Sequence, residues 1–248
     1  MNLIIDIGNS SAKVDIYEKK NCLFSKKIKK LQLPQLIKFI DSCNITQPID
    51  GAIMSSVSYI PEDIVNYLEK KHYFIQFSEK TAIPIKNMYK TPQMLGKDRL
   101  AAAVGANHIF PKNNVLVIDI GTCIKYDFIN NMGEYLGGAI SPGYDMRLKA
   151  LHYFTDRLPL LKKNKKKHLL IGENTEDSIL SGVYNGISSE INYTILKYQK
   201  KYAQLKIVLS GGAMKNLHKE LKISIFAIPN IVTFGLNIIL EYNKSLKD

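Results

Sequence analysis

The sequence predicts an α/β protein made of two similar halves with a cleft between them. Three observations predict it. Residues 3–17 read LIIDIGNSSAKVDIY and residues 116–129 read LVIDIGTCIKYDFI. Each is an apolar strand that ends in Asp-Ile-Gly, turns through small polar residues and returns as a second strand. The two aspartates, Asp6 and Asp119, stand about half the 248-residue chain apart. Strand-like runs and helical spacings then alternate through both halves, as in α/β folds. No low-complexity linker intervenes, and the halves fall near 1–114 and 115–248.

Each element has its own warrant. Strands near 2–7 and 11–18 form a hairpin, and a third strand covers about 21–28. Leu33, Leu36, Ile37 and Ile40 have helical spacing. Gly51-Ala-Ile-Met marks a strand. Pro61 opens a helix whose first turn carries Glu62 and Asp63, where negative charge suits the helix dipole. The alanine-rich stretch 96–109 is helical. In the second half, strands are expected at 115–120, 123–129 and 134–140. A long helix starts near 175, where Ile179, Val183, Ile187, Ile191 and Ile195 give one apolar face for core packing. A strand at 205–209, a helix after Gly211-Gly212 and a last helix from about 230 complete the chain.

Composition narrows the function. Hydrophobic residues make up 46 %, enough for an ordinary core. No stretch reads as a signal peptide or reaches membrane-spanning length. Cys22, Cys43 and Cys123 are far apart, without zinc or disulfide spacing, which suits a reducing cytoplasm. The net charge is +12, but the excess is nearly all scattered lysine. Arginine, the better base reader, occurs only at Arg99, Arg147 and Arg157. No nucleic-acid motif is present, and Lys162 to Lys167 read as a solvated loop. Neither nucleic acid nor membrane is expected as a partner. The five histidines show no paired metal spacing and read as surface or packing residues.

Four segments can carry chemistry. In Asp6-Ile7-Gly8-Asn9-Ser10-Ser11-Ala12-Lys13, a buried strand delivers a carboxylate, and a glycine lets the backbone approach a ligand. The small residues offer donors to a phosphate, Lys13 adds charge, and Asp6 can hold a hydrated Mg²⁺ ion. One such copy would read as an ordinary turn. The second copy, Asp119 to Thr122, favours a phosphate chain lying between them. Leu209-Ser-Gly-Gly-Ala ends a strand in paired glycines, which suits a flat ring or a phosphate but is also a common connection. Gly96-Lys97-Asp98-Arg99 opens a helix. There Asp98 can accept a hydroxyl proton and Arg99 can grip a carboxylate. A helix cap with a surface ion pair remains the alternative for that segment.

These segments, in this order, resemble the type III pantothenate kinases of the acetate and sugar kinase/Hsp70/actin superfamily. The resemblance covers essentially the whole chain. It rests on DxGN(T/S)xxK at Asp6 to Lys13, on Tyr89-Lys-Thr-Pro92 followed by Gly96 to Arg99, and on DxGT at Asp119 to Thr122. It rests further on Gly137-Gly-Ala-Ile-Ser-Pro-Gly143, on Asn174-Thr-Glu-Asp-Ser-Ile-Leu-Ser-Gly182 and on Ser210 to Gly212. The resemblance implies two ribonuclease-H-like half domains in the actin-like ATPase fold. It implies ATP-dependent phosphorylation of pantothenate, the first step of coenzyme A synthesis, in the cytoplasm.

Its site residues carry over by position. Residues 6–13 and Thr122 would bind ATP, and Asp98 would be the general base. Tyr89, Gly96, Lys97, Asp98, Arg99 and Thr175 would contact pantothenate. Asp119 would bind a monovalent cation, K⁺ or NH₄⁺, and Mg²⁺ would accompany ATP. Family members are homodimers whose pantothenate pocket is completed near the subunit interface. One departure stands out. After DxGT the family usually has a small hydroxyl residue where this chain has Lys125, which either enters the phosphate site or turns outward. Another small-molecule kinase of the superfamily and a non-catalytic regulator are the rival readings. The Tyr89 and GxDR pair speaks against the first, and a general base at Asp98 against the second.

Overall fold

The computed structural model describes residues 1–162, 170–212 and 225–247. The helix expected after Gly212 and most of the lysine run 162–167 lie outside the described residues. In chain order the elements are β1 (Asn2–Ile7), β2 (Ala12–Glu18), β3 (Asn21–Ile28), α1 (Leu33–Ser42), β4 (Gly51–Ser56), α2 (Glu62–Lys71), β5 (Tyr73–Gln76) and β6 (Lys86–Asn87). There follow α3 (Lys97–Ile109), β7 (Val115–Ile120), β8 (Cys123–Ile129), β9 (Glu134–Pro142), α4 (Tyr144–Tyr153), α5 (Thr175–Lys201), β10 (Lys206–Ser210), β11 (Phe226–Ala227) and α6 (Ile231–Ser245).

They form two compact units. Unit 1 comprises Met1–Lys112, Ile129–Gly137 and Asn230–Asp248; unit 2 comprises Asn113–Phe128 and Gly138–Pro229. The sheet of unit 1 has the order β3-β2-β1-β4-β5. β1 to β3 are antiparallel neighbours, and β4 and β5 add in parallel on the other side of β1. Alternation along the strands gives the sheet two apolar faces. Leu3, Ile5, Val14, Ile16, Ala52 and Met54 pack on Leu36 and Phe39 of α1 and on Ile64 and Leu68 of α2. Ile4, Tyr17 and Ile53 pack on the opposite side with Leu100 and Val104 of α3 and Leu236 and Ile239 of α6.

Unit 2 repeats the plan. Its strands run β9-β8-β7-β10-β11, the same order as in unit 1, with β10 parallel to β7 and to β11. Leu116, Ile118, Ile120, Ile124 and Tyr126 face Tyr144 and Leu148 of α4 and the Ile179–Ile195 stripe of α5. That stripe is buried along its whole length, as its four-residue spacing predicts. The first residues of β9 belong to unit 1, where Glu134 and Tyr135 pair with Lys86 and Asn87.

The predicted elements in the described residues are all present. No pattern in the sequence announces β5, β6, β11 or α4. Two of these strands have only two residues each, too short for any period to register. In α4 only Tyr144 and Leu148 are buried, so no stripe announces the helix. Among the described residues no helix is long and apolar enough to cross a membrane.

Candidate active site

In unit 1 the first hairpin places Asp6 half-buried at the end of β1, opposite Lys13 on β2 and Ser55 on β4. Side chains at paired positions share a face, so the three stand side by side. The Gly8 N–H donates to the Ser11 carbonyl at 3.0 Å and closes a turn whose tip, Asn9 and Ser10, is exposed. Lys13 is drawn along its strand. Its Nζ donates to Asn230 Oδ1 and lies 3.8 Å from Asp15 Oδ2. Asp15 is fully buried and accepts hydrogen bonds from Ser25 at 2.6 Å and Thr233 at 2.5 Å. Burial pushes the neighbouring Tyr17 hydroxyl well above its usual range and the Cys22 thiol up to about 11. Cys22 is therefore an inert thiol at neutral pH.

The second cluster of unit 1 lies at the start of α3. Asp98 is in the first turn, where its Oδ1 accepts the Arg99 amide N–H at 2.9 Å. A Cβ on Gly96 would stand 2.7 Å from that same oxygen, so the glycine leaves room for the carboxylate. Arg99 is 5 % exposed, with its guanidinium carbon 5.8 Å from the centre of the Tyr89 ring. Lys97 is held by Glu79 at 3.4 Å, an attachment with no sequence signal. Gly137 has φ +100°, and a Cβ there would meet the Tyr89 ring at 3.1 Å. Only glycine accepts both conditions. The fold thus brings Tyr89, Gly96, Asp98 and Arg99 together with Gly137, which the sequence reading quoted in a motif without assigning it a role.

In unit 2, Asp119 ends β7 opposite Ser210 of β10. Thr122 is exposed at the tip of the second hairpin. The Gly121 N–H donates to the Cys123 carbonyl at 2.9 Å, and the Gly143 N–H donates to the Thr122 carbonyl at 3.0 Å, so the turn is pinned from both sides. Gly211 has φ +92°, and a Cβ there would stand 2.3 Å from the Ile120 carbonyl oxygen. The Ser-Gly-Gly segment therefore lies directly against the end of β7, closer than any other residue allows. Lys125 turns toward the aspartate: its Nζ is 2.6 Å from Asp119 Oδ2.

Thr175 is the first residue of α5, exposed, beside a groove of about 830 Å³ that Phe154, Leu158 and Ile179 also line. A polar knot that sequence reasoning missed braces the same unit. Glu190 accepts hydrogen bonds from Tyr126 at 2.8 Å, from Ser141 at 2.9 Å and from Arg147. Burial alone would raise the Glu190 carboxyl; these donors outweigh it and hold it below its usual value. Nothing in residues 126, 141, 147 and 190 has a common spacing, so no motif could have revealed the knot.

A family model described as type III pantothenate kinase matches residues 2–197. The chain belongs to the type III pantothenate kinase family. Relatives named type III pantothenate kinase agree with it end to end. The protein from Christiangramia forsetii is 44 % identical over 99 % of this chain and 100 % of its own. The one from Phocaeicola vulgatus is also 44 % identical over 99 % of this chain and all of its own. Among solved structures, a Baf family transcriptional activator from Campylobacter jejuni has a TM-score of 0.60 at 22 % identity, covering 98 % of this chain and 99 % of that one. Component A of (R)-2-hydroxyglutaryl-CoA dehydratase from Acidaminococcus fermentans has a TM-score of 0.54 at 16 % identity, covering 99 % and 98 %. At these identities the likeness shows the fold, which is the expected actin-like ATPase fold, and nothing of function.

Proposed function

We propose that this chain transfers the γ-phosphoryl group of ATP to the primary hydroxyl of pantothenate, giving 4'-phosphopantothenate and ADP in the first step of coenzyme A synthesis. Family membership supplies the substrates. The observation that carries the chemistry is the setting of Asp98, a half-buried carboxylate fixed by a backbone N–H beside Arg99 and Tyr89.

Asp98 accepts the hydroxyl proton as the bond to phosphorus forms and the bond to the leaving ADP oxygen breaks. Arg99 grips the pantothenate carboxylate, and Tyr89, Gly96, Lys97 and Thr175 complete its contacts. Residues 6–13 and Thr122 bind the ATP phosphates. Asp6 suits Mg²⁺ bound through water and nucleotide oxygens, since magnesium takes few protein carboxylates. The buried Ser55 hydroxyl at the paired position, with no hydrogen-bond partner among the described residues, is further support. Bound there, the ion would neutralise phosphate charge. The halves 1–114 and 115–248 are the repeat that supplies the two Asp-Ile-Gly hairpins, and the strand order shared by the two units supports this. The enzyme is a cytoplasmic homodimer, and the groove beside Thr175 is the feature that supports a pocket completed at the subunit interface.

The test is a coupled assay with purified protein, ATP and Mg²⁺. Pantothenate should drive ADP release, whereas sugars and short carboxylic acids should not. ADP release driven by a sugar instead would favour another kinase of the superfamily.

A further inference from the structure

Lys125 alternates along β8 with Ile124 and Tyr126, which are buried in the core of unit 2. It therefore projects from the opposite face of the sheet. Asp119, flanked on β7 by the core residues Ile118 and Ile120, projects from that face too. The two side chains meet at 2.6 Å, with exposures of only 17 % and 14 %. This is the carboxylate that the family resemblance reserves for K⁺ or NH₄⁺. The donor set does not fit such an ion. A free cation on Asp119 would share one carboxylate with an ammonium group already in hydrogen-bond contact, in a partly buried place where like charges repel strongly. The ammonium of lysine has the charge of K⁺ and the N–H donors of NH₄⁺. It is also tethered two residues from a hairpin turn pinned by Gly121 and Gly143, so recruiting it costs no association entropy.

We propose that Lys125 is a built-in monovalent cation: its ammonium takes the place of K⁺ or NH₄⁺ on Asp119, so that nucleotide binding and turnover do not depend on an added monovalent ion. The inference rests on the kinase reading for its turnover part, but its binding part can be read without pantothenate. Calorimetric titration of the whole protein with ATP and Mg²⁺ in choline, sodium, potassium and ammonium chloride at equal ionic strength is the decisive measurement. The wild-type Kd should agree within about twofold in all four salts. In Lys125→Thr, Kd in choline or sodium should weaken about tenfold or more and return toward wild type in potassium or ammonium. That rescue by an ion also shows that the variant is folded.

A wild-type Kd that tightens about tenfold on exchanging choline for potassium would overturn the proposal whatever the variant does. So would a cooperatively melting Lys125→Thr protein that binds ATP as well as wild type in every salt. The pantothenate assay separates the two readings. Salt-indifferent ATP binding with no pantothenate turnover sinks the substrate and leaves the built-in cation. Turnover of pantothenate only in potassium or ammonium does the reverse.

Discussion

At the scale of single residues, the role of Asp98 is the most exposed to test. Asp98→Asn keeps the shape and the hydrogen bond from the Arg99 amide, because an amide oxygen can accept it. It removes the proton acceptor. We expect kcat to fall about 100-fold or more, with ATP affinity and melting temperature near wild type. Turnover assays beside calorimetry check this, and wild-type kcat would strip Asp98 of its role. At this scale the sequence was readable where chemistry forces a residue type. Asp6, Asp98 and Asp119, the carboxylates proposed for the site, stand out because each sits close to a glycine in a short motif. What could not be read was the company they keep. Glu79 on Lys97 and Asn230 on Lys13 are meetings made by folding that no local spacing encodes, whereas Asp15 stands two residues from Lys13 on the same face of β2.

At the scale of elements, the strands and helices with a clear period were legible, and α4 and the two-residue strands were not. A helix with two buried side chains leaves too little pattern to detect. Yet α4 carries Arg147, which ties to Glu190 on α5 and so fastens two elements together. Because the Glu190 carboxyl is held below its usual value, the knot contributes stability above the unfolded-state pKa and loses it as pH falls through the folded one. Glu190→Gln should cost about 1–3 kcal/mol at neutral pH, since it leaves Arg147 less well paired. The gap between variant and wild type should narrow as the pH falls below about 4.5. Urea midpoints across that range provide the check, and a gap independent of pH would show that Glu190 is not the titrating partner.

At the scale of the whole molecule, two similar halves were expected from the doubled Asp-Ile-Gly, but the strand order the units share, which includes β5 and β11, was not. Nor was the packing of α3 on α6. It depends on Gly235, where a Cβ would stand 1.8 Å from the Ala101 carbonyl oxygen, and on Gly105, where one would stand 2.8 Å from the Ile231 carbonyl oxygen. Backbone touches backbone there, and a lone glycine inside a helical run signals no particular partner. Gly235→Ala must push the helices apart. We expect a loss of about 3 kcal/mol in urea unfolding, the upper end for overpacking. Because Asp98 rides on the first turn of α3, kcat should fall with it. A variant as stable as wild type would mean that the helix contact is looser than described.

Unit 1 begins with the first strand of the chain but is closed by its last helix. A ribosome delivers β1 to β5 long before α6, whose Leu236, Ile239 and Leu240 cover one face of their sheet. Until α6 emerges, the nascent sheet has only α3 to cover part of that apolar face. A stop codon just before residue 230 would remove no predicted catalytic side chain. It would nonetheless leave the amino-terminal half unable to finish folding, and aggregation during synthesis is the failure to expect.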